Sequence, residues 1–331
     1  MPLVTDRTSV LNVFAEADRK GWVIPAFGTE NLTTTEAVLA SVRDRGEALG
    51  IPDLPVMLAV TNRYPERSQT AYYTHTRDWH VGLELFLADM EVLTRRDSPF
   101  GRLRVMVHLD HIQHDLDAEL WRGNLRRFSS IMFDASTLPF EENMQATRAF
   151  VDARKSEIVV EGACDYVGAK GGRLTSVEEA ERFSAGTGVD WIVANLGTEH
   201  RAGVSALNYA RDRAREISAK IGRRLVLHGT SSVANDQLPH LFADGIAKVN
   251  LWTALERDSS APLLHEMVLH AAKVGGAATA SGMAGAGLLG PNADTRSPAS
   301  ITHFTTAWRQ QLVFEEMKRS VKGYLEAWYR L

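Results

Sequence analysis

Eight short apolar runs punctuate the chain: VIPAF (23–27), PVMLAV (55–60), RVMVHLD (104–110), SSIMFDA (129–135), EIVVEGA (157–163), WIVANLG (191–197), RLVLHG (224–229) and IAKVNL (246–251). They are rich in Val, Ile and Leu and show little of the apolar–polar alternation of a half-solvated strand. Runs of this kind predict parallel strands buried on both faces. Between them, apolar positions recur at helical spacing. TTTEAVLASVRDRGEAL (33–49) opens on threonines, PFEENMQATRAFVDARK (139–155) starts on Pro, and SVEEAERFSAGTG (176–188) runs from Ser to Gly. These are helix start and stop signals. Strands alternating with helices in this way predict an α/β fold, a (β/α)8 barrel of roughly 250 residues, placed here over residues 1–260.

Beyond the barrel the pattern changes. GGAATASGMAGAGLLGPNADTRSP (275–298) is low in bulky side chains and predicts a loop. HFTTAWRQQLVFEEMKRSVKGYLEAWYRL (303–331) predicts one or two amphipathic helices whose aromatic residues pack on the barrel or on a second subunit. Residues 261–331 are therefore expected to form a C-terminal extension.

Composition narrows the function classes. The chain has 331 residues, 44% hydrophobic and 24% charged, enough for a large core. A net charge of −4 without a basic block argues against a nucleic-acid partner. Cys164 is the only cysteine, which excludes an intrachain disulfide and any Cys-based zinc cluster. No run of about 18 apolar residues is present, so no membrane helix is expected. MPLVTDRTSV lacks the apolar centre of a signal peptide, which makes the cytoplasm the expected compartment.

In such a barrel, chemistry sits at the C-terminal ends of the strands. The third run ends on Asp110 and His111, and the fifth carries Glu161 and is followed by Asp165. The sixth leads to Asn195 and His200, the seventh to His228 and Ser231, and the eighth to Asn250 and Thr253. Three histidines from three neighbouring strands would converge over one rim. Three neutral imidazoles with an open fourth position make a catalytic zinc site, and an acid beside the first supplies a proton carrier. His108, two residues before Asp110 on the same face, reads as a hydrogen-bonded core residue; His114 reads as a solvated loop residue or a pocket residue. The turn HGTSS (228–232) and NLWT (250–253) offer main-chain amides where this fold usually cradles a phosphate.

Seven stretches resemble the class II, zinc-dependent fructose-bisphosphate and tagatose-bisphosphate aldolase family: AFGTENLTTTEAVL, VHLDH, IMFDASTLPFEEN, VVEG, NLGTEH, LHGTSS and GIAKVNLWT. They occur in family order from about residue 8 to about residue 255. The resemblance implies a lyase acting in carbohydrate metabolism, a homodimer or homotetramer, with one Zn2+ per subunit and a monovalent cation as a further candidate. It implies His111, His200 and His228 as zinc ligands and Asp110 as the acid/base carboxylate. Asn31, Gly229, Ser231, Asn250 and Thr253 fall in its substrate- and phosphate-binding stretches. The implied substrate is a small anionic ketose or aldehyde.

The chain departs from the family in places. Ala163 stands where a second glutamate is usual, Arg201 replaces a glycine, and a following lysine is missing. HGTSS carries Thr230 and Ser232 in place of glycines, and GAKGGRL (168–174) lacks the expected loop glutamate. A glycine replaced by a larger residue closes space in which main chain approaches an anion, so an altered donor-phosphate site is expected, with Arg201 as a substitute contact. Asp165 and Glu161 are the candidates for removing the donor proton. Three alternatives stand beside this reading: a Schiff-base aldolase on Lys248, a zinc hydrolase barrel, and a zinc-binding barrel without turnover. The first strand has no His-x-His, which counts against the hydrolase.

Overall fold

The computed structural model describes residues 3–65, 67–166, 173–198 and 208–330. Eight parallel strands close into a barrel in sequence order: β1 Ile24–Gly28, β2 Pro55–Thr61, β3 Arg104–Gln113, β4 Ser130–Asp134, β5 Val159–Ala163, β6 Trp191–Val193, β7 Leu225–Leu227 and β8 Ile246–Leu251. β8 pairs with β1 (Ala26 opposite Asn250), which leaves no free edge. The expected (β/α)8 fold is therefore present.

The helices are α1 Arg7–Lys20, α2 Leu32–Leu49, α3 Gln69–Tyr72, α4 Trp79–Leu93, α5 Ala118–Arg122, α6 Phe140–Arg154, α7 Val177–Thr187 and α8 Arg211–Ile221. They continue with α9 Thr253–Leu269, α10 Ala271–Gly275, α11 Ala277–Gly285, α12 Ile301–Phe304 and α13 Thr306–Trp328. Local chemistry sets their ends. Ser176 and Glu179 form a capping box on α7, and Gly21, Gly50 and Gly188 close α1, α2 and α7 in the left-handed conformation. No described helix is long and apolar enough to cross a membrane.

The elements differ from expectation in three respects. β6 and β7 stop at Val193 and Leu227, short of the apolar runs that contain them. The loop expected over 275–298 contains α11. Alanine is the best helix former, and Ala271, Ala272 and Ala280 pack as a small second core with Leu289, so the segment needs no bulky residues to hold a helix. The third difference is in β3, which runs to Gln113, with an irregularity between Leu109 and Ile112.

Candidate active site

The irregularity in β3 answers why an acid and a histidine stand side by side. Adjacent residues of a regular strand point to opposite faces. Here the register shifts between Leu109 and Ile112, and His111 adopts φ 48°. A bulge re-aims side chains, and both Asp110 and His111 line the same cleft above the barrel. A left-handed non-glycine residue costs of order 1–3 kcal/mol and tends to sit where function holds it.

His111 and His228 come from β3 and from the residue after β7, on opposite sides of the closed barrel rather than from neighbouring strands. Their rings meet across the top: His111 Nε2 lies 3.1 Å from His228 Nδ1. Two nitrogens around one tetrahedral ion at 2.0–2.1 Å are separated by roughly 3.3 Å, so the pair suits a shared metal. With Asp110 they offer ligand atoms that all lie within 4.8 Å of one another. Each ring's other nitrogen is held. His111 Nδ1 is 2.9 Å from Asp134 Oδ2, and His228 Nε2 is 3.3 Å from Glu161 Oε1. Such carboxylate partners fix which nitrogen faces a metal. Tyr64 stacks on His111 with ring centroids 4.5 Å apart.

Asp110 accepts a hydrogen bond from Asn250 Nδ2 at 2.9 Å. Burial works to raise its carboxyl, but His111, His108 and His228 beside it outweigh burial and hold it well below the usual carboxylate range. Asn250 Oδ1 is buried with no hydrogen-bond partner among the described residues. An orphaned acceptor in the cleft wall is a place for a ligand hydroxyl.

Beneath the site lies a buried charge cluster. Lys248 Nζ donates to Glu161 Oε2 at 2.7 Å, and it lies 3.1 Å from His108 Nε2. His108 Nδ1 is in turn 2.8 Å from Ser130 Oγ. His108 is thus a core residue, and Lys248 sits in an ion pair.

The cleft brings together Asp110, His111, His228, Gly229, Ser231, Asn250 and Thr253. It does not take in Asn31, whose side chain caps α2 by accepting from Thr34 N at 3.2 Å, nor Asp165, which accepts from Thr175 Oγ1 at 2.7 Å. His200 and Arg201 lie outside the described residues. In the turn after β7, Thr230 Oγ1 donates to Asn250 O at 3.0 Å and Ser232 Oγ to Gly229 O at 2.7 Å. These two hydroxyls tie the turn to main chain, and Ser231 lines the cleft between them. Sequence reading missed Tyr64, Arg67, Gln69 and Trp252, which also line the cleft.

The comparisons agree with this geometry. The model of the family "Fructose-bisphosphate aldolase class-II" matches residues 8–326. A sulfofructosephosphate aldolase of Alkalicoccus urumqiensis is 29% identical over 265 residues, covering 77% of this chain and 82% of that one. Crystal structures of a fructose-bisphosphate aldolase from Campylobacter jejuni (TM-score 0.75, 15% identity, covering 98% and 94% of the two chains) and of a putative fructose-1,6-biphosphate aldolase from Coccidioides immitis (TM-score 0.66, 20% identity, covering 98% and 96%) share the fold. By its family match and its rim of strand-end residues, the chain belongs to the class II fructose-bisphosphate aldolase family and is a lyase that makes and breaks aldol C–C bonds.

Proposed function

We propose that this aldolase is zinc-dependent and acts between a ketone donor of the dihydroxyacetone phosphate type and an aldehyde. The observation that carries the reading is the meeting of two imidazoles across the barrel, each tied behind by a carboxylate and flanked by Asp110. His111 Nε2 and His228 Nδ1 would hold the ion, with His200 as the third ligand. When bound there, the ion supplies Lewis-acid polarisation of the donor carbonyl.

In cleavage, Asp110 takes the proton of the hydroxyl on the carbon that becomes the aldehyde. The C–C bond breaks and its electron pair stays with the donor fragment. In synthesis Asp110 returns that proton to the new alkoxide. Its depressed carboxyl keeps it ionised, with an oxygen able to accept the proton, and Asn250 Nδ2 fixes its orientation at 2.9 Å. Ser231 and the amides after β7 and at the start of α9 take the donor's anionic end. Glu161, engaged by both Lys248 and His228, is a positioning residue. The sulfofructosephosphate aldolase relative supports a phosphorylated ketose as substrate. We also assign a homodimer or homotetramer, because α9, α11–α12 and the turn between them expose Leu264, Leu288 and Ile301 at 64–70%; light scattering tests this.

Metal analysis with a retro-aldol assay tests the mechanism. His111→Ala is expected to lose both zinc and turnover. Asp110→Ala is expected to keep zinc and lose turnover by roughly 10²–10⁴-fold. Chelator-resistant activity with borohydride trapping on Lys248 would overturn the metal mechanism.

A further inference from the structure

A non-glycine residue in the left-handed region persists only where its surroundings over-determine it. His111, at φ 48°, is such a residue. Two buried side chains that no step above uses converge on it. The first is Gln113. Its Nε2 donates to His111 O at 3.1 Å and to Asp134 Oδ2 at 3.2 Å. The same carboxylate oxygen lies 2.9 Å from His111 Nδ1, and because a carboxylate only accepts, Nδ1 carries the proton. Gln113 therefore grips both the main chain of the strained residue and the carboxylate behind its ring.

Asp117 stands one link further out and is fully buried. It occupies the N-cap position of α5, where an aspartate ordinarily accepts from the amides of its own helix. Here it makes no such bond. Its oxygens turn instead to the ends of two strands. Oδ2 accepts from the Gln113 amide at 2.8 Å, while Oδ1 accepts from Asn62 Nδ2 at 2.8 Å and from the Arg63 amide at 3.1 Å. Thr70 Oγ1 holds Asn62 in turn, donating to its Oδ1 at 2.6 Å. Asn62 and Arg63 leave β2 and lead directly into Tyr64, whose ring lies on His111 with an interplanar angle of 16°. One carboxylate thus anchors what lies behind the His111 ring and what lies on its face.

We propose that Gln113 and Asp117 are positioning residues that fix the His111 imidazole before a metal arrives, Gln113 from behind and Asp117 from both sides. The role rests on the zinc reading, in which His111 Nε2 is a ligand. A ring already in place loses little freedom on binding, and preorganisation of this kind raises affinity. A carboxylate serving α5 alone would cap the helix; this one forgoes the cap and joins the two arms.

The test compares the full-length wild type with Gln113→Met and Asp117→Asn. Gln113→Met keeps the length of the side chain and removes both Nε2 bonds. In Asp117→Asn the amide must turn its NH2 toward one set of donors, so one arm is lost. Zinc affinity is measured by chelator competition. Exchange of the His111 Nδ1 proton is followed by NMR of the metal-free, histidine-labelled protein. Outer partners of a ligating histidine contribute roughly 10–100-fold in metal affinity. Both variants are therefore expected to bind zinc about tenfold or more weakly and to exchange the Nδ1 proton several-fold faster, with far-UV circular dichroism unchanged. A merely structural role would lower the denaturant midpoint and leave affinity and exchange at their wild-type values. Exchange or affinity unchanged in Gln113→Met overturns the role, even where Asp117→Asn fails to fold. Failure of the zinc reading looks different: the wild type binds no zinc, yet its Nδ1 proton is protected and the variants release it.

Discussion

At the scale of single residues, the site is a set of side chains held from behind. His111 presents Nε2 to the cleft because Asp134 occupies Nδ1, and Asp134 is itself fixed by Ser136, whose Oγ donates at 2.6 Å. Outer partners of metal-ligating histidines typically contribute 10–100-fold in metal affinity. Asp134→Ala is therefore expected to weaken zinc binding by roughly that factor while leaving the barrel folded, as read by chelator competition and circular dichroism. Undiminished affinity would show that Asp134 does not orient the ring. Glu256 illustrates the opposite situation. Burial and the nearby Glu30 push its carboxyl up to about 7, against the pull of Arg67. A carboxyl raised in the folded state contributes stability that is full below its unfolded value of 4.5 and is lost as pH rises through about 7. Glu256→Gln should flatten that part of the pH–stability curve, a difference of at most about 3 kcal/mol. Urea unfolding of both proteins at pH 5 and pH 8 measures it; parallel curves would refute the assignment.

At the scale of elements, what the sequence shows depends on whether the signal is local. Asp110, His111, His228 and Asn250 stand at the ends of apolar runs, so strand periodicity alone puts them on the rim. The relation between the histidines is not local. β3 and β7 face each other across the barrel, and no linear spacing encodes that, which is why a neighbouring-strand picture fails. The β3 irregularity is equally hidden, since its sequence carries no glycine to mark it. Arg67 and Gln69 lie in the return from β2 and the first turn of the four-residue α3, too short for a periodic signal. Asn31 stands in a matching stretch, yet in this fold its chemistry is a helix cap. The α3–α4 contact supplies an element-scale prediction. A Cβ on Gly82 would stand 1.8 Å from Thr70 O, and Thr70 Oγ1 donates to Asn62 Oδ1 at 2.6 Å. Gly82→Ala must push α4 off α3, with an expected cost of about 1–3 kcal/mol, visible as a lower denaturant midpoint. An unchanged midpoint would mean that the two helices separate freely.

At the scale of the whole molecule, the two ends of the barrel divide the work. Polar strand-end residues gather at the C-terminal rim, whereas the chain's own C-terminus closes the opposite end. Tyr329 is fully buried, donates its hydroxyl to Pro55 O at 2.5 Å, and meets Trp22 edge-on with centroids 5.1 Å apart. Trp22 Nε1 donates to Arg330 O at 2.9 Å, and Trp328 Nε1 donates to Leu238 O at 3.0 Å. These bonds reach the start of β2, the entry to β1 and the turn before β8, which ties α13 into the barrel floor. Residues at this end of the fold govern stability rather than catalysis. Tyr329→Phe keeps the ring packing but leaves Pro55 O buried without its donor, an expected loss of about 1–3 kcal/mol. Turnover per folded molecule at 25 °C should stay within about twofold, because the change lies a full strand length from Asp110 and nothing connects it to the cleft except rigid barrel. Thermal unfolding and active-site-normalised kinetics measured together decide the matter. A variant that keeps its melting temperature but loses turnover would show that the floor and the rim are coupled, contrary to this division.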